Sequence, residues 1–161
     1  MAAASQETSN MDDRVLVITR VFDAPRPVVF DSWTDARQLA QWRGPRGFVI
    51  VSYHADVRVG GVWRVETRSP EGGEHNAGGE YREVAPLDRL AFTMAWDGTE
   101  DGEPGRETLV TLGFAEEGSR TRMTFRQSTF SSMAARDAHE GGWSSAFDLL
   151  TEYLATPDRE R

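Results

Sequence analysis

The chain has 161 residues, 39% of them apolar, a net charge of -8 and no Cys. That length suits one domain able to bury about two thirds of its unfolded surface, and the composition excludes a disordered chain, a disulfide framework and Cys-based zinc sites. An acidic chain without a basic stripe is not a nucleic-acid binder, and no apolar run approaches the roughly 20 residues of a membrane helix.

The opening "MAAASQETSN" has neither a basic start nor an apolar stretch. It is therefore not a secretory signal, which leaves the cytoplasm as the expected compartment. Residues 1–12 are expected to form a flexible tail, 13–156 one domain, and 157–161 a second tail. All 18 Lys/Arg positions are Arg, the mark of a GC-rich genome. No lysine is present to form a Schiff base.

"RVLVITRVF" (14–22) is rich in β-branched residues and predicts a strand. "DAPRPVVFDSWTDARQLAQW" follows, with Asp23 as a cap, prolines suited to a helix start, and Thr34-Asp35 as a second cap. Two short helices are expected there. "FVIVSYHADV" predicts a strand, and in "GGVWRVETRS" Trp63, Val65 and Thr67 alternate with charged residues, the pattern of a half-buried strand. "PEGGEHNAGG" predicts a hairpin tip and "EYREVAP" its return strand. "RLAFTMAW" places Leu90, Phe92, Met94 and Trp96 on one face. A polar loop, "DGTEDGEPG", precedes the strands "ETLVTLGF" and "RTRMTFRQ". In "HEGGWSSAFDLLTEYLA", Trp143, Phe147, Leu150 and Leu154 recur at helical spacing and predict a long amphipathic helix. A mostly antiparallel sheet must cover its apolar face, and this helix is the available cover.

That order, with the stretches "TRVFDAPRPVVFDSWTD", "QWRGPRGF", "DVRVGGVWR", "EYREVAPLDRLAFT" and "HEGGWSSAFDLL", resembles the homologues of the heat-shock-chaperone ATPase activator. That AHSA-type family belongs to the START-like, SRPBCC helix-grip superfamily, which also holds polyketide cyclases and birch-pollen-allergen proteins. The resemblance spans about Arg14 to Ala155. It implies an α+β helix-grip fold: a curved antiparallel sheet wrapped around the long C-terminal helix, two short helices after the first strand, and a cavity for apolar small molecules. It also implies a second reading, a protein-interaction module that contacts a chaperone or regulator without catalysis. The family usually has two aromatics before the Gly-Pro, whereas here the second position is Arg43.

Rigid aromatic walls with a few polar groups are what a small-molecule site needs. The residues available for such walls are Trp33, Trp42, Phe48, Trp63, Phe92 and Met94, then Trp96, Phe125, Trp143 and Phe147. Ordinary core packing is the competing reading for each, and Trp63, Trp96 and Trp143 are the leading candidates. Arg43 offers two readings. It either holds a ligand carboxylate or phenolate at the pocket rim, or it points to solvent or pairs with Asp31 or Asp35. Tyr81 and Glu83 share strand parity, so both are expected on one face. If that face is the inner one, they join His54 as the proton-handling groups of a cyclisation, dehydration or related reaction. His54, His75 and His139 show no metal-ligand spacing, and His139 is expected to cap the last helix. No cofactor or metal is called for. The expected partner is a hydrophobic or aromatic small molecule, and the exposed sheet face leaves room for a homodimer.

Overall fold

The alternating stretches of the sequence become one large sheet. The computed structural model describes residues 6–8, 13–100, 103–104 and 106–156. In chain order they form β1 (Gln6–Thr8), β2 (Leu16–Phe22), α1 (Arg26–Thr34), α2 (Ala36–Trp42), β3 (Val49–Ala55), β4 (Val62–Arg68) and β5 (Glu74–Ala85). There follow β6 (Arg89–Trp96), the two-residue strands β7 (Thr99–Glu100) and β8 (Glu103–Pro104), then β9 (Thr108–Glu117), β10 (Arg120–Ser128) and α3 (Met133–Leu154). The strands pair antiparallel in the order β1-β2-β10-β9-β6-β5-β4-β3, and β7 and β8 form a separate small hairpin in the polar loop. The sheet is curved and grips α3, as the α+β helix-grip reading requires. No described helix is long and apolar enough to cross a membrane.

Period two decides which side chains face α3. On β2, Leu16, Ile18 and Phe22 point inward, and on β10 Met123 and Phe125 do the same. From α3, Phe147 and Leu150 enter this layer and are fully buried. Phe147 meets Phe125 edge to face at 5.5 Å and Trp33 of α1 at 6.1 Å. Asp35 caps α2 by accepting from the Arg37 backbone N–H at 2.9 Å. By contrast, Pro25 precedes α1 without any side-chain cap, and Asp23 lies beside Arg120 instead.

Several expectations are corrected. Within the stretch read as a flexible tail, Gln6–Thr8 is a strand paired with Ile18–Arg20 of β2. Its Gln6 donates to Ser144 Oγ of α3 at 2.9 Å and accepts from Arg20. Residues 1–5, 9–12 and 157–161 lie outside the described residues. The glycine-rich hairpin tip is shorter than expected because β5 already starts at Glu74. Finally, α3 starts at Met133, six residues before His139, because Ser132 caps it by accepting from the Ala135 N–H at 3.0 Å.

Candidate functional site

The stretch "QWRGPRG" shapes one end of the space between sheet and helix. Trp42, the last residue of α2, turns into the core and donates its indole N–H to Ser32 O at 3.0 Å. Arg43 closes α2 through its backbone N–H to Leu39 O. Gly44, at φ +152°, then lets the chain leave the helix sharply. The loop docks on α3, with Arg46 N–H donating to Ser145 Oγ at 2.8 Å and its guanidinium pairing with Glu152.

Arg43 does not go to the rim. Its side chain is only 6% exposed and runs inward over a set of aromatic rings. Its Cζ lies 4.6 Å from the Trp63 ring centroid and 4.8 Å from that of Trp143, with Phe92 at 5.5 Å and Tyr53 at 5.7 Å. Each such cation–π contact offsets about 0.5–2 kcal/mol of the cost of burying the charge. One guanidinium nitrogen donates to Tyr53 Oη and the other to Met94 Sδ at 3.7 Å. Among the described residues no carboxylate forms an ion pair with Arg43. Asp35 is occupied by the α2 cap and Arg37, so both solvent exposure and pairing with Asp35 or Asp31 are excluded for Arg43.

The local fold explains how the rings are held. Gly79 passes so close to β6 that a Cβ there would sit 1.8 Å from Thr93 O. That carbonyl accepts the Trp63 indole N–H at 3.0 Å, while Thr93 Oγ1 accepts the Glu80 N–H. Trp143 is fixed from the other side by donating to Gln127 Oε1 at 2.8 Å. Burial pushes the Tyr53 phenol above its ordinary range, and the Arg43 charge pulls it part of the way back.

Arg43 is one wall of a cavity of about 370 Å³. Met94, Trp96, Trp143 and Ala146 supply apolar surface further along, and Phe48, His75 and Pro45 lie toward the more exposed end. His139 also lines the cavity, where Trp96 Nε1 donates to its Nε2 at 2.9 Å. Among the described residues no carboxylate lines this space.

Of the expected wall residues, Arg43, Phe48, Met94, Trp96 and Trp143 line the cavity. Trp63 and Phe92 stand behind Arg43, and Trp33, Trp42, Phe125 and Phe147 pack against one another in the core. The proton-handling set does not assemble. A register shift between Tyr81 and Glu83 breaks their shared parity. Tyr81 is buried against Phe92, whereas Glu83 is half exposed and pairs with Arg89 at 3.2 Å. Burial holds the Tyr81 phenol well above its usual range, so it stays protonated at neutral pH. His54 is exposed on β3 opposite Arg64. Val65, Thr67, Tyr53 and His139 were missed. The first two share the inward parity of Trp63, which was legible, and Tyr53 lies directly opposite Val65.

A curved antiparallel sheet around a long C-terminal helix, with two short helices in the first connection, defines the START-like helix-grip class. Within it, the chain belongs to the family described as Activator of Hsp90 ATPase homolog 1-like protein (AHSA1), whose model matches residues 23–155. It is similar to a protein of Chromobacterium violaceum at 26% identity and TM-score 0.76, over 86% of this chain and 95% of that one. The AHSA1 protein of Silicibacter pomeroyi is 26% identical with TM-score 0.77, over 88% and 97% of the two chains. A protein of Arthrobacter aurescens, solved by solution NMR, is 25% identical with TM-score 0.78, over 95% and 93%. A search of the curated proteins found no match.

Proposed function

We propose that the chain binds a hydrophobic or aromatic small molecule in the cavity between the sheet and α3. The observation that carries this reading is the 370 Å³ space itself, walled by Trp96, Trp143 and Met94 with few polar groups. Small-molecule sites have this make-up. Of the expected acid–base groups, Glu83 and His54 point away from the space, while the imidazoles of His75 and His139 line it.

The test is titration with N-phenyl-1-naphthylamine, a neutral probe whose emission rises in apolar surroundings. The parent should bind it saturably, and Ala146→Phe, which fills the space from α3, should abolish the rise while keeping its circular dichroism. Absence of a rise in the parent would sink the reading. The family's description supplies the competing one, a module that contacts a chaperone. Stimulation of the ATPase of an Hsp90-class chaperone, unaltered by Ala146→Phe, would favour that module.

A further inference from the structure

Building on the ligand-binding reading, we infer that the ligand is an apolar monocarboxylic acid bound head-in, with its carboxylate on Arg43 and its apolar body directed toward Phe48. The argument begins with charge. A guanidinium presents five N–H donors. Tyr53 Oη and Met94 Sδ take two of these, so three have no acceptor among the described residues. The residue is 6% exposed and lines the cavity, so the exposure it keeps is toward that space. A buried cation whose neighbours are aromatic faces, a phenol hydroxyl and a thioether is stabilised by an anion that enters the cavity.

The position of Arg43 sets the orientation of the ligand. Arg43 and Met94 are buried, while His75 is exposed and Phe48 and Pro45 are half-buried. The charged head therefore sits at the inner end and the apolar body fills the space toward the mouth. Among the described residues Arg43 is the one Arg that lines the cavity, so a monoanion is matched and a phosphate dianion is not. The planar guanidinium fork fits a planar carboxylate through two parallel N–H···O bonds. The protein's overall field does not supply this preference, because a net charge of -8 repels anions.

The test compares 1-naphthaleneacetate with 1-naphthaleneacetamide, two probes of the same shape, by calorimetric titration at neutral pH. The acid should bind the parent at least about tenfold more tightly, as one desolvated charge-assisted pair implies. Arg43→Met should bring the ratio to one or below, and Arg43→Lys should keep part of the preference. Should Arg43→Met fail to fold, the parent's ratio at low and high salt decides alone, because a buried pair survives screening. Equal affinities of acid and amide in the parent would overturn the carboxylate assignment and leave the cavity reading standing. Binding of neither probe, together with no response to N-phenyl-1-naphthylamine, would overturn both.

Discussion

Trp96 Nε1 and His139 Nε2 are 2.9 Å apart, joining β6 to α3 along the cavity wall. The indole N–H only donates, so His139 Nε2 accepts. The other ring nitrogen, Nδ1, lies 2.8 Å from Ala135 O, which only accepts. The imidazole is therefore neutral with its proton on Nδ1. Nitrogen NMR at pH 8 should show His139 as the Nδ1–H tautomer, and Trp96→Phe should release that preference at a cost of about 0.5–1.5 kcal/mol. An Nε2–H tautomer in the parent would contradict the pairing.

Phe147 anchors the helix to the sheet. It is fully buried and touches Trp33, Trp42, Phe125 and Trp143. Phe147→Ala should cost about 3–5 kcal/mol in urea unfolding. A cost below about 1 kcal/mol would mean that the neighbours collapse into the gap, against the close packing seen here.

The N-terminal strand should matter to stability, contrary to what its polar composition suggests. Gln6 ties Ser144 of α3 to Arg20 of β2, and Arg20 in turn pairs with Asp148 at 2.9 Å. Gln6→Ala should lower stability by about 1–2 kcal/mol. An unchanged melting temperature would show that β1 contributes nothing in solution.

The overall architecture was readable because it rests on periodicity. Alternation and β-branched content gave β2 to β6, β9 and β10, the polar loop hid the short β7 and β8, and the Trp143–Phe147–Leu150–Leu154 spacing gave α3. The site was less readable, for four physical reasons. A single extra residue at Arg82 reverses side-chain direction, and nothing in "EYREV" marks it. Aromatic residues on the inner face look alike whether they fill the core or border a space; Trp33 and Trp96 share a composition signal but not a role. The direction of Arg43 is set by where α2 stops and by rings from β4, β6 and α3, all distant in sequence. Likewise "SSMAARDA" has no apolar period, which hid the first turns of α3 and with them the place of His139.

High pH should weaken the fold through its buried phenols. Burial raises Tyr53 and Tyr81 above the ordinary value near 10. Above pH about 10 the unfolded chain releases these protons while the folded protein keeps them, so stability falls as pH rises. Near neutrality both states hold the protons and no slope arises from these groups. Urea midpoints measured at pH 8, 10 and 11 should decline, and Tyr81→Phe should make the decline shallower. Identical slopes for parent and variant would remove Tyr81 as a cause.

Gly142 offers a way to vary the cavity without touching Arg43. It lies inside α3, lines the space, and has an ordinary helical place with no need for positive φ. A Cβ built there would meet Pro45 Cγ at 3.7 Å, which is ordinary contact. Gly142→Ala should therefore stabilise the helix by about 0.5–1 kcal/mol, because alanine gives up less backbone freedom. It should leave binding of N-phenyl-1-naphthylamine nearly intact. Gly142→Phe places a ring where the ligand body would lie, and it should reduce probe binding strongly while α3 remains folded by circular dichroism. The pair separates two roles for this glycine. If Gly142→Ala destabilises, the glycine is needed for the approach of the Pro45 loop to α3. If Gly142→Phe binds the probe as the parent does, the probe occupies some other surface and this wall is not part of the site.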